Sequence, residues 1–230
     1  MRIALCISGQ PRFFKEGYAS IKETFLDRYD CDIFIHSWYS DSLVGQSYDT
    51  THNGSANKVG AVERGTPQQI LDLYKPTGCI FEQPKTFNTN LSYTNENLKE
   101  GVNPNGVYSM FYSIHKANEL KKQHEVESRV KYDVVLRLRF DLRFKSQIDL
   151  ESFDRDTLYV LKSGNPTVYY DIFGFGSSEL MDSYGDVFFE IERIWNPHKH
   201  FIGENILTDG LHIKGIQATK IDHLVDLIRA

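Results

Sequence analysis

Cysteine is scarce in this chain. Its three cysteines, Cys6, Cys31 and Cys79, are an odd number spread through apolar runs ("ALCIS", "YDCDIFI", "GCIFE"), with no C-x-x-C spacing. That argues against a disulfide framework and a thiolate zinc site, and the three read as small buried thiols of a reducing compartment. A basic excess is missing too: the formal net charge of -5 argues against a general nucleic-acid binder, although local Arg clusters leave room for one phosphate ligand. No apolar run reaches membrane-spanning length, and the opening "MRIALCISG", ended by Ser8 and Gly9, is too brief for a signal-peptide core. It reads as a buried first strand, and the chain as soluble with no transmembrane segment.

Several catalytic signatures are also lacking. The eight histidines include no H-E-x-x-H spacing, and "HKH" at 198–200 reads as a solvated loop. There is no G-x-S-x-G and no cysteine beside a plausible base, which argues against hydrolysis by a nucleophilic triad. The phosphate loop G-x-x-x-x-G-K-[ST] is absent, as are repeats and low-complexity segments.

What is there fits a globular domain: 230 residues, 40% hydrophobic and a quarter charged, are enough for a proper core. After the first strand, Phe14, Tyr18, Ile21 and Phe25 fall at helical steps. "CDIFIHSW" predicts a second strand. Thr66 as N-cap with Pro67 at the first position opens a helix through "QQILDLYK", and "TGCIFEQ" predicts a third strand. Strand, helix, strand, helix, strand is the pattern of a doubly wound α/β half-domain. Two polar stretches, 40–65 and 83–106, read as long loops. Further on come a strong helix in "VYSMFYSIHKANELKKQHEV" and strands in "TLYVLK" and "VYYDIFGFG". A helix "SSELMDSYGDVFFEIERIW" follows, then one from about Gly203 to Lys214 stopped by Gly215. A strand "IQATKID" and a closing amphipathic helix "HLVDLIR" end the chain. The whole reads as one α/β domain with a mixed, mainly parallel sheet flanked by helices.

Three segments carry candidate chemistry. "YDVVLRLRFDLRF", residues 132–144, alternates strictly and predicts one strand with a single face in the core. Its other face is either an ordinary solvated face or a site where Asp141 holds a cation and the flanking guanidiniums of Arg139 and its neighbours hold phosphate. In "ISGQPRFF", a strand passes through Ser8, Gly9, Gln10, Pro11 and Arg12 into a helix, and such a turn is either an anion site or a plain turn with an exposed Arg. "DIFGFGSSE", residues 171–179, puts Glu179 where a dinucleotide fingerprint needs its last Gly; it reads as a Gly-rich turn beside Asp171.

The order of these parts, "SGQPR", "YSMFYSIHKANELK", "YDVVLRLRFDL", "DIFGFGSSELMDSY" and "GENILTDGLHIKGI", resembles GT-A-fold glycosyltransferases that act on nucleotide sugars, over essentially the whole chain. The resemblance is to small enzymes of bacterial surface-polysaccharide loci and of large DNA viruses of algae. It implies one GT-A-like (Rossmann-like) domain over 1–230, with a nucleotide-binding half at 1–106 and a metal and acceptor half at 107–230. In that family a D-x-D triplet holds Mn²⁺ or Mg²⁺ against the donor diphosphate; the matching triplet here is Arg139, Phe140, Asp141, which departs at its first position. By the same likeness Asp141 and His223 are metal ligands, with His212 a rival to His223. Ser8, Gly9, Gln10, Arg12, His36, Ser37, Arg139 and Gly174 border the donor, Asp171 contacts a sugar, and Glu204 is the base, with Asn205 replacing the usual Asp. Glu204 reads equally as a helix N-terminal carboxylate.

The implied reaction is transfer of a hexose or deoxyhexose from a nucleotide diphosphate sugar, a UDP-sugar first, to a hydroxyl of a glycan or glycoconjugate acceptor with inversion. The implied setting is the cytoplasm, that of the host if the source is a virus. A sugar-nucleotidyltransferase and a non-catalytic sugar-nucleotide or glycan-binding module are the other classes in view.

Overall fold

The first strand, β1 (Arg2–Gly9), buries six consecutive residues, Ile3 to Ser8. A strand buried on both faces belongs in the middle of a mainly parallel sheet. That is its place in the computed structural model, which describes residues 1–52, 55–93, 98, 103–222 and 224–229, with the backbone alone for 49–52 and 55–59.

The remaining strands are β2 (Asp30–Trp38), β3 (Ser47–His52), β4 (Ser55–Ala61), β5 (Gly78–Glu82), β6 (Val134–Leu138), β7 (Leu142–Phe144), β8 (Tyr159–Lys162), β9 (Tyr169–Gly176), β10 (Thr219–Ile221) and β11 (Val225–Leu227). The helices are α1 (Phe14–Ile21), α2 (Thr66–Tyr74), α3 (Pro104–Ser128), α4 (Ser178–Gly185), α5 (Ile191–Ile194) and α6 (Gly203–Ile213). Seven strands form the central sheet in the order β10-β8-β9-β6-β1-β2-β5. All run parallel except β9, which is antiparallel to both its neighbours. The fold is therefore α/β with a mixed, mostly parallel sheet.

One face of the sheet packs Ile3, Leu5 and Ile7 against Phe14, Ile21 and Ile70 of α1 and α2. On the other, Ala4, Cys6 and Val135 meet Phe111 and Ile114 of α3, Tyr184 of α4 and Leu207 of α6. Burying apolar area on both sides at about 25 cal/mol per Å² is what lets so many Val, Ile and Leu pairs hold a parallel sheet together. No helix among the described residues is long and apolar enough to cross a membrane.

Five local readings change. The stretch 132–144 is not one strand with one wet face: β6 is buried on both faces, the chain turns at 139–141, and β7 leaves to pair with β11 in a separate two-stranded sheet. The polar stretch 40–65 contains the hairpin of β3 and β4, whose weakly apolar sequence hides the alternation. The closing "HLVDLIR" is strand β11 from Val225 to Leu227: its apolar spacing suits either period, and pairing of Val225 with Phe144 and Leu227 with Leu142 decides it. The helix from 177 to 195 is divided, with a tight 3₁₀ segment over Asp186–Glu190 between α4 and α5. The N-cap of α2 is Gly65, at φ +77°, and Thr66 is its first residue.

Candidate functional site

From β1 the chain winds outward to β2 and β5, then returns through α3 to β6 on the other side of β1. Where the winding reverses, the carboxyl ends of adjacent strands part and leave a crevice that ligands fill. Two turns border it here, residues 9–13 after β1 and 139–141 after β6.

Each turn has a local cause. Gly9 takes φ +113°, a conformation other residues rarely adopt, and its carbonyl accepts the Ser37 hydroxyl at 3.1 Å. The Arg12 N–H then donates to the Gln10 carbonyl at 2.8 Å, and Phe13 enters α1 at φ +50°, strained by about 1 kcal/mol or more for a bulky residue. In the second turn Phe140 is fully buried with its ring edge-on to Tyr74, and burial of such a ring is worth roughly 2–3 kcal/mol. α1 lies directly on this turn: a Cβ on Gly17 would stand 1.7 Å from the Phe140 carbonyl oxygen. With Phe140 driven inward, its neighbours Arg139 and Asp141 fall on the other side of the chain.

Asp141 ties the two turns together. Its Oδ1 accepts Arg139 Nε at 2.8 Å, and its Oδ2 accepts Arg139 Nη2 at 2.7 Å. Arg12 Nη2, from the first turn, reaches the same Oδ2 at 3.0 Å. The three side chains are 7%, 19% and 14% exposed in the order Asp141, Arg139, Arg12, so these are largely desolvated, charge-assisted contacts. Burial alone would raise the Asp141 pKa, but Arg139 and Arg12 outweigh it and hold the carboxyl below the usual range. Arg12 is pushed down to about 10, first by burial and then by the like charge of Arg139, with Arg229 adding to the repulsion. Two guanidiniums thus share one carboxylate.

Asp171 stands beside this cluster because β9 runs antiparallel and starts at the crevice end of the sheet. It is buried, and burial raises its pKa even though Arg137 and Arg139 pull the other way. Its Oδ2 lies 1.9 Å from where a Cβ on Gly203 would be, so only glycine at the start of α6 leaves room for the carboxylate. α6 is fixed to β9 by Thr208, whose hydroxyl accepts the Tyr169 N–H at 2.8 Å and donates to the Glu204 carbonyl at 2.7 Å. Glu204, half-buried in the first turn of α6, is near enough to Tyr170 to help raise its pKa, after burial, Asp171 and against Arg139. An open groove of about 400 Å³ continues from Tyr170 along Arg143, Asp226, Leu227, Ile228 and Arg229.

A family model described as a domain of unknown function, DUF7796, matches residues 1–183. The chain belongs to the DUF7796 family. The matched part of this DUF7796 protein carries Arg12, Arg139, Asp141 and Asp171, and stops before α6 and β11. No curated protein matches the chain.

Arg12, Arg139, Asp141, Asp171 and Glu204, all expected from the sequence of this DUF7796 chain, converge at one crevice. Ser8, Gly9 and Ser37 build its first turn, Ser8 and Ser37 being buried, while Gln10 is exposed there. His36 sits apart on the α3 face, where its Nδ1 is 2.7 Å from the Ser113 hydroxyl and its Nε2 3.5 Å from Glu82. Burial pushes it down to about 4, against the pull of Glu82, so it is neutral. Gly174 lies in the middle of β9, in register with Arg137, where a Cβ would crowd the Tyr159 carbonyl at 3.1 Å and the Tyr184 ring at 3.3 Å. Asn205 donates to the His200 carbonyl at 2.8 Å, and His212 faces Tyr169 at 3.2 Å. His223 lies outside the described residues.

The divalent cation implied by the family resemblance can be tested on Asp141. Both of its oxygens accept guanidinium N–H groups, and no group of three His, Cys, Asp or Glu side chains that could hold a metal occurs among the described residues. As arranged, the triplet Arg139-Phe140-Asp141 does not fit a divalent cation.

Sequence reasoning missed Gly17, Gly203, Tyr170 and Arg229, and left Arg143 open between a phosphate contact and scaffold. The two glycines left a trace, since an isolated Gly inside or at the start of a helix pattern often marks a close approach. Tyr170 and Arg229 depend on β9 and β11 coming together, which no local pattern encodes.

Proposed function

We propose that this protein is a GT-A-type glycosyltransferase that transfers a hexose or deoxyhexose from a nucleotide diphosphate sugar, a UDP-sugar in the first instance, to a hydroxyl of a surface glycan with inversion. The observation that carries this reading is the meeting of Arg12, Arg139, Asp141 and Asp171 at the strand reversal, with Glu204 alongside.

The chemistry follows from what those groups can do. Guanidinium charges held in place by Asp141 suit a diphosphate, whose negative charge grows as the bond to the anomeric carbon breaks. The acceptor oxygen bonds to that carbon from the opposite side, its proton passes to a carboxylate, and the nucleoside diphosphate leaves with the electron pair of the broken bond. Glu204 is the base in this reading: it is half-buried at a helix start, open enough to meet an incoming hydroxyl. Asp171, deeper and held towards its neutral form, hydrogen-bonds the sugar.

The test is incubation with a panel of nucleotide sugars and acceptors, following products by mass. Release of nucleoside diphosphate with a new glycoside supports transfer; release of pyrophosphate would make the protein a nucleotidyltransferase. Glu204→Gln is expected to lower kcat by about 100-fold or more while donor binding persists. If no donor is consumed and none raises Tm, the glycosyltransferase reading fails.

A further inference from the structure

Among the features the proposed reaction leaves unused, the groove along β11 carries most. Its lining brings Arg143 from β7, Tyr170 from β9 and Arg229 from just past β11 to the edge of the crevice. Its position is set by Asp141 itself, whose backbone carbonyl accepts the Ile228 N–H at 2.8 Å while its side chain holds Arg139 and Arg12. One residue therefore couples the buried guanidinium pair to the segment that presents Arg229. Val225, fully buried with the side of the core that holds Ile3, Leu5 and Ile7, keeps that segment in place.

Resting on the glycosyltransferase reading, we infer that the groove is the diphosphate subsite and that Arg12, Arg139 and Arg229 neutralise a nucleoside diphosphate there without a divalent cation, Asp141 serving as their internal counter-ion. Three observations support it. A cation at Asp141 would have to displace N–H donors at 2.7, 2.8 and 3.0 Å and then sit among their positive charges. Arg229 lines the groove together with Tyr170, and its charge reaches Arg12 as well. A groove of about 400 Å³ falls within the size range of small-ligand sites, and Tyr170 is part of its wall. Arg229 is exposed, as a residue awaiting an anion is, whereas Arg12 and Arg139 are pre-placed by Asp141.

The experiment is titration calorimetry of the whole chain with UDP, UMP and inorganic pyrophosphate, each in EDTA and in Mn²⁺. UDP is expected to bind in EDTA with a Kd within about twofold of its value in Mn²⁺, with UMP weaker and pyrophosphate separating the diphosphate from the nucleoside. Arg229→Ala is expected to weaken UDP and pyrophosphate by roughly tenfold, the size of one charge-assisted contact, and UMP much less. Arg229 is exposed, so the variant should fold, and an unchanged Tm checks that. UDP binding seen only with Mn²⁺ overturns the inference and leaves the glycosyltransferase reading standing. Unchanged binding in Arg229→Ala overturns the assignment of Arg229. No binding of any diphosphate in either buffer overturns both the inference and that reading. Metal-free diphosphate binding without sugar transfer upholds the inference and sinks the reading.

Discussion

At the residue scale the three carboxylates differ by environment, and pH separates them. Asp141 is held below the usual carboxylate range by Arg139 and Arg12, against the effect of burial. Asp171 is shifted the other way by burial, so its ionised form costs stability as pH rises above the unfolded value of about 4. Asp171→Asn is therefore expected to hold or raise the urea midpoint at pH 7, with the difference closing below about pH 4, while sugar transfer is lost. A fall in stability at pH 7 would mean that the Arg137 and Arg139 contacts outweigh burial. His36 gives a second pH signature. Its folded value of about 4 lies below the ordinary 6.5, so the unfolded chain takes up the proton first, and stability is lost as pH falls from 6.5 to about 4. The loss is about 3 kcal/mol at most, and His36→Gln should flatten the stability curve across that window.

At the scale of elements, the crevice is made by close approaches rather than by long contacts. α1 touches the 139–141 turn through Gly17, and α6 reaches Asp171 through Gly203. Elsewhere in a helix, Gly to Ala gains up to about 1 kcal/mol; in α1 the new methyl would meet a backbone oxygen at 1.7 Å. Gly17→Ala is therefore expected to lower stability by about 2 kcal/mol in a denaturant titration and to weaken nucleotide binding, since the carbonyl it strikes lies between Arg139 and Asp141. A gain in stability would show that α1 is free to move away. The short strands β7 and β11 matter in the same way: three residues each, they place Ile228 on the Asp141 carbonyl.

At the scale of the whole molecule, the α/β class and the central strands were legible in the sequence because β1, β2 and β6 each hold a short, mostly apolar run between helical patterns. Arg12, Asp141 and Asp171 were legible because each follows or opens such a strand. What was not legible depended on tertiary partners. Strict alternation in 132–144 implied a wet face, but α3 and α4 cover that face and bury Arg137, whose guanidinium donates to the Ile172 carbonyl. "HLVDLIR" fits two periods, and only the edge of β7 chose between them. His36 reads as a polar strand end, yet Ser113 and Glu82 draw it to the α3 side. If the strand reversal between β1 and β6 is the donor site, as proposed, a crystal of the protein soaked with UDP will hold the nucleotide there. The diphosphate is expected within hydrogen-bond distance of Arg12, Arg139 and Arg229, beside the turn at Gly9. Nucleotide on the α3 face near Glu82 and Tyr112, or at any place away from that turn, would contradict it.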